Sequence, residues 1–238
     1  MAEAAGDIFG PINAETGDTS QFNSTTVEGT GTFDAHADAL AHGSYGFRAI
    51  ADGTNNEFRG NKTLSDLTEI YFRVYFNIDP NMLLPASGGA FVCALMDGST
   101  TLLRFGPRNS TGGAAAPNQW YCSGQGMSGT LTTTNFTLDA WHYLDVHWLA
   151  GTGADGGATA WIDANATPLI NDVDNNLTAY AADGLRVGIT DASVLAEGDY
   201  VYIDDILGKT TGPIGVYTEA GAGAAIPILA HYYRMMRD

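Results

Sequence analysis

The chain is patterned for extended structure. Its longest regular stretch is Thr68–Ile78, TEIYFRVYFNI. Ile70, Phe72, Val74, Phe76 and Ile78 alternate with Glu69, Tyr71, Arg73, Tyr75 and Asn77. An unbroken period of two in β-branched and aromatic residues predicts a long strand with one face in a core. A helix would scatter the same residues around its circumference. Ala140–Ala150 repeats the pattern: His142, Leu144, Val146 and Trp148 alternate with Tyr143, Asp145, His147 and Leu149. Ala90–Met96 is continuously apolar and bounded by Gly88-Gly89 and Asp97-Gly98, which predicts a buried strand turning back into Thr101–Phe105. Shorter strands are expected at Gln21–Val27, Gly31–Phe33, Phe47–Ala51, Asn56–Arg59, Trp120–Ser123, Thr130–Phe136, Ala158–Asp163, Leu185–Ile189 and Tyr200–Leu207. Ala35–Ala41 is compatible with one helical turn.

Many strands with almost no helical pattern between them predict an all-β fold: two antiparallel sheets in a jelly-roll sandwich. Three segments follow. Residues 1–20 are expected as an extended N-terminal arm, 21–208 as the jelly-roll domain, and 209–238 as a Gly/Ala linker with an amphipathic tail. Pro227 suits a first helical turn, after which Ile228, Leu229, Tyr232, Met235 and Met236 share one helical side. A helix this short is marginal alone. Its apolar side is therefore expected to dock on another subunit, and those five residues are the candidate assembly contacts.

The composition narrows the partners. The 238 residues carry a formal charge of −17 with only ten lysines and arginines. Such a surface repels phosphate backbones and anionic headgroups, so neither nucleic acid nor membrane is expected as a partner. Cys93 and Cys122 are the only cysteines and are expected as free buried thiols. The opening MAEAAGDIFG has no basic start followed by an apolar run, so no classical signal peptide is predicted. The triplets at Asn23, Asn61, Asn109 and Asn135 are read as turn chemistry rather than glycan sites.

Four stretches, taken in order, resemble the concanavalin A-like lectin/glucanase family in its laminin-G-like form. They are HGSYGFRA at His42–Ala49, EIYFRVYFNI at Glu69–Ile78, WHYLDVHW at Trp141–Trp148 with ATAWIDA at Ala158–Ala164, and YVYIDDI at Tyr200–Ile206. The resemblance implies a two-sheet sandwich with a curved open face, in a family that spans glycan-binding modules, glycanases, polysaccharide lyases, and adhesion or assembly domains of bacterial surfaces and phage particles. It also implies a structural calcium near the first and closing strands, for which Glu15, Asp18, Asp204 and Asp205 are the matching oxygen donors. No other cofactor is expected.

Catalytic signals are sparse. A glycanase needs two carboxylates facing across a cleft, and the resemblance implies that they would share one strand; no such run is present, and Glu69, Asp145 and Asp163 are isolated. A lyase needs a base and a group that neutralises charge, and Tyr71, Arg73, Tyr75 and His147 supply those residue types. No Cys/His set completes a zinc site, and Asp172, Asp174 and Asn176 lack the glycine of a calcium loop and read as a solvated turn. Tyr71, Arg73, Tyr75, Tyr143, Asp145 and His147 are expected on one sheet face and are the glycan-binding candidates. These readings lead to the expectation of a non-catalytic structural or decoration protein on a virion or extracellular particle, joined to other subunits and displaying its jelly roll, with a surface glycan as a further partner. A free-standing lectin-like module and a polysaccharide-cleaving enzyme are the alternatives.

Overall fold

The structure is a computed structural model, and it describes residues 7–153 and 155–214. Fifteen strands follow one another: β1 (Asp7–Ile12), β2 (Ser24–Val27), β3 (Thr32–His36), β4 (Gly46–Ile50) and β5 (Phe58–Leu67). Then come β6 (Glu69–Ile78), β7 (Ala90–Asp97), β8 (Thr100–Arg108), β9 (Gln119–Gly124) and β10 (Met127–Thr132). The last are β11 (Trp141–Leu149), β12 (Gly156–Ile162), β13 (Ile170–Asn175), β14 (Ala182–Ala192) and β15 (Tyr200–Lys209). There is no helix among the described residues; Ala35 and His36 close β3, and the chain then turns.

The strands form two antiparallel sheets. The eight-stranded sheet runs β13-β12-β11-β6-β15-β4-β3, with β1 also pairing β15. The seven-stranded sheet runs β10-β9-β8-β7-β14-β5-β2. The alternation in β6 and β11 does what its period demands. Ile70, Phe72, Val74, Phe76, Leu144, Val146 and Trp148 point into the core and are buried. Phe76 meets Phe105 and Trp120 of the other sheet edge-on, with ring centroids 5.6 and 5.4 Å away. Each such ring contributes about 1.5–3 kcal/mol by leaving water.

Two parts differ from the sequence reading. Within the stretch expected as an arm, Asp7–Ile12 is strand β1, paired with β15 from Asp7↔Lys209 to Ile12↔Ile206. The Asp172–Asn176 stretch, read as a turn, lies mostly in strand β13 on the sheet edge. There Asp172 accepts from the Ser128 amide and from the Asn175 side chain. The tail residues Ile228, Leu229, Tyr232, Met235 and Met236, with the helix expected for them, lie outside the described residues. Asn109 is fully buried and its amide donates to the carbonyls of Leu84, Pro85 and Gly113, so it pins a loop from inside. Cys93 and Cys122 are both buried and free, one strand apart on either side of Phe105.

Candidate functional site

The two sheets present two outer faces of opposite character. On the eight-stranded sheet, the register of β6 and β11 places Tyr143 opposite Tyr75, Asp145 opposite Arg73, and His147 opposite Tyr71. All six glycan-binding candidates therefore share one face, as the alternation predicts. They are largely occupied with one another. Arg73 donates to both carboxylate oxygens of Asp145 at 2.6 Å, lies 4.5 Å above the Tyr143 ring, and donates to the Ile214 carbonyl. Burial alone would lower its pKa, but the bonds and attraction of Asp145 outweigh that and raise it. Glu69 accepts from both Tyr71 and His147, whose rings stack 4.1 Å apart. Burial pushes the Tyr75 phenol up to about 12. A lyase base and charge neutraliser must be free to meet substrate, and Arg73 is not, because its charge is already matched in a two-point fork.

The calcium candidates separate into three places. Asp204 and Asp205 on β15 are both buried, and His42 joins them: its Nδ1 lies 2.5 Å from Asp205 Oδ2. Asp204 Oδ2 accepts the amides of Ala41 and His42, while its Oδ1 accepts that of Asp205. Glu15 instead accepts the amides of Ser44 and Tyr45, and Asp18 closes its own turn with Thr16 and Ser20. Burial, then repulsion from Asp205, raises the Asp204 carboxyl well above the usual range. Asp205 Oδ1 is buried without a partner among the described residues. Two adjoining buried carboxylates with one orphaned oxygen fit a hard divalent cation. Asp204 and Asp205 would hold it, and it would neutralise them and tie β15 to the turn at Ala41–His42.

The outer face of the seven-stranded sheet was not singled out by sequence. Leu185 and Val187 are in the core, so Arg186 between them points outward; the same parity turns Arg104 and Tyr121 outward. Arg59, Arg104, Arg108 and Arg186 all sit here, half of the eight lysines and arginines among the described residues. One transverse row reads Asn61, Arg186, Ala94, Arg104 and Ser123 across β5, β14, β7, β8 and β9. The small Ala94 floors a slot between two guanidinium groups, about 10 Å apart by two strand spacings.

Each arginine is held differently. Arg59 pairs with Glu57 and donates to Asn61 and to the Thr190 carbonyl. Arg104 donates to Asp191 and Ser123 and lies 4.2 Å above the Phe91 ring. Arg108 lies 4.4 Å above the Tyr121 ring. Arg186 has no hydrogen-bond or ion-pair partner among the described residues, and burial, followed by repulsion from Arg59, lowers its pKa. Beside it a shallow open depression of about 220 Å3 is lined by Asn61, Thr63, Met96, Asp183 and Gly184. The Tyr121 ring extends over Gly129, where an added Cβ would stand 2.4 Å from its hydroxyl oxygen. A charge-matched anion on this face would relieve a repulsion that the protein alone leaves in place.

Two sheets of this order, with β1 and β15 paired in one and β14 central in the other, match a known architecture. The fold is a concanavalin A-like jelly roll. Among solved structures, the cellulose-induced protein Cip1 superposes with a TM-score of 0.61 at 16% identity, over 87% of this chain and 99% of its own. The endo-β-1,4-glucuronan lyase of Trichoderma reesei gives 0.55 at 13% identity, over 82% and 93%. The alginate lyase Aly36B gives 0.55 at 14% identity, over 88% and 98%. No protein-family model and no curated protein matches the sequence. These likenesses correct the expectation of a non-catalytic structural or decoration protein: the neighbours that share this jelly roll over nearly their whole length include two polysaccharide lyases. A carboxylate pair is a requirement of most glycanases and has no bearing on a lyase.

Proposed function

We propose that the protein is a carbohydrate-active enzyme, a lyase type acting on an acidic polysaccharide, with the outer face of the seven-stranded sheet as its substrate face. The observation that carries this reading is the gathering of Arg59, Arg104, Arg108 and Arg186 on one face of a molecule whose formal charge is −17. A strongly acidic protein meets a polyanion only where its few cations are concentrated. The likeness to glucuronan and alginate lyases supports the same reading from the side of the fold.

The chemistry follows from the residue types. Eliminating across a uronate residue removes the proton next to its carboxylate, forms the C4–C5 double bond and breaks the C4–O glycosidic bond, whose departing oxygen takes up a proton. That proton becomes removable when the carboxylate charge is neutralised, and guanidinium groups do this while also fixing orientation. Arg186, which makes no hydrogen bond or ion pair among the described residues, is the neutralising group, and Arg104 across the Ala94 slot, tied to Asp191 by a single bond rather than a two-point fork, would assist it. Tyr121, whose ring lies against Arg108 and near Phe91, would supply the hydroxyl that moves a proton on that face. Phe91 and Tyr121, 6.0 Å apart, add an apolar wall for the sugar rings.

The test is direct. The full-length protein is incubated with glucuronan, alginate and polygalacturonate, and unsaturated uronate ends are followed by ultraviolet absorbance. Release from at least one, abolished by Arg186→Ala in a folded variant, is the expected result. A folded protein that releases no unsaturated ends from any of the three would overturn the proposal.

A further inference from the structure

The eight-stranded sheet holds a second, separate feature at the other end of its outer face. Across β11, β6, β15, β4 and β3 one row reads Trp141, Asn77, Tyr202, Arg48 and Asp34. Their neighbours Phe76, Ile78, Val201 and Ile203 are buried in the core, so Asn77 and Tyr202 face out. Tyr200 stacks on Tyr202 with ring centroids 4.4 Å apart and planes 23° from parallel. Trp141, Tyr200 and Tyr202 are half-buried rather than enclosed. Trp141 and Tyr202 flank Asn77 from the two neighbouring strands, about 10 Å apart.

Asn77 is the informative residue. It is only 9% exposed, and its side-chain oxygen is buried with no hydrogen-bond partner among the described residues. Leaving a buried acceptor unmatched costs about 1–3 kcal/mol. The position therefore calls for an O–H or N–H donor from outside, delivered between aromatic walls. The surrounding charge decides what kind of molecule brings it. Arg48 is neutralised by Asp34 through two bonds of 3.1 and 2.9 Å. Asp79 and Asp139 act on both tyrosines, and Asp38 on Tyr202. That field repels a carboxylate and leaves a neutral polyol unaffected.

We propose that Trp141, Asn77, Tyr200 and Tyr202 form a binding site for a neutral sugar, whose ring stacks on the aromatic side chains while one hydroxyl donates to Asn77 Oδ1. The site lies on the sheet opposite the arginine face. It would let the protein hold an uncharged glycan while the other sheet engages an acidic one. None of its four residues belongs to the arginine face, so the two sites stand or fall separately.

Isothermal titration of the full chain with cellohexaose, xylohexaose and mannohexaose tests this. At least one is expected to bind saturably, with affinity weakened about tenfold or more by Trp141→Ala and by Tyr202→Ala. Tyr202→Phe, which keeps the ring, and Arg186→Ala, on the other sheet, should leave it unchanged. Absence of binding by all three sugars at about 10 mM, or binding that survives both alanine substitutions, overturns the proposal. Should the alanine variants fail to fold, amide chemical shifts of the wild-type protein decide. Changes confined to β6, β11 and β15 support the site, and changes confined to the seven-stranded sheet overturn it.

Discussion

The two outer faces use the same residue types to opposite ends. On the eight-stranded sheet, Arg73 and Arg48 each face a carboxylate directly across a strand pair and are locked to it by two bonds. On the seven-stranded sheet, Arg186 faces Ala94 and Asn61 and makes no ion pair among the described residues, whereas Arg104 faces Ala94 and Ser123 and reaches Asp191 by one bond only. An acid directly across the ladder ties Arg73 and Arg48 to the fold, and its absence opposite Arg186 leaves that guanidinium available to a ligand. A paired guanidinium contributes to specificity of structure. An unpaired one on a half-buried face carries a cost that an incoming anion removes.

Single substitutions should separate these roles. Arg186→Ala should lower turnover of a polyuronate by about a hundredfold or more while leaving the melting temperature unchanged or raised, because a repulsion with Arg59 goes with it; steady-state kinetics and a thermal melt read both. Asp145→Ala should do the reverse. It strands the buried Arg73 guanidinium and should cost about 3 kcal/mol of stability in denaturant titration, with turnover per folded molecule intact. Equal losses of activity in the two variants would erase the distinction.

Calcium offers a third comparison, this time within the eight-stranded sheet. At a hundredfold excess over its dissociation constant it should stabilise the wild-type protein by about 2.7 kcal/mol, and chelation should reverse the gain. Asp204→Asn with Asp205→Asn should remove the response. A melting curve indifferent to calcium would show that the buried pair is satisfied by protons alone. A smaller effect is expected from Gly129→Ala. The new methyl group must displace the Tyr121 ring, so turnover should fall by about tenfold with little change in stability. The slightest change is expected from salt. Raising ionic strength from about 0.01 to 0.15 M shortens the screening length from about 30 to 8 Å. It should weaken polyuronate binding on the arginine face and leave any neutral sugar bound at Trp141 and Tyr202 untouched.

The contrast between the faces also explains what could be read from the chain. β6 and β11 were legible residue by residue, because their alternation is unbroken and needs no partner to be seen. So was the convergence of Tyr71, Arg73 and Tyr75 with Tyr143, Asp145 and His147, since two alternating strands have only one outward set each. β1 was obscured by Gly10-Pro11 between Phe9 and Ile12, and β13 by its mixture of Asn and Asp. Both owe their extended form to pairing with β15 and β12 rather than to their own pattern. The arginine face escaped for a different reason. Arg59, Arg104 and Arg186 are far apart in sequence and come together only because β14 inserts between β5 and β7. One signal was available: Arg104 and Arg186 each sit between core residues, Leu103 and Phe105 or Leu185 and Val187, in a chain with few cations to spare.

Cys93 and Cys122 lie on strands separated by β8, about 10 Å apart and beyond the reach of a disulfide. Burial pushes both thiols up, Cys122 to about 12, so almost no thiolate forms at neutral pH. The sulfur atoms behave as hydrocarbon. The native molecule should therefore pass unchanged between oxidising and reducing surroundings, and thiol reagents should count zero groups until it is unfolded.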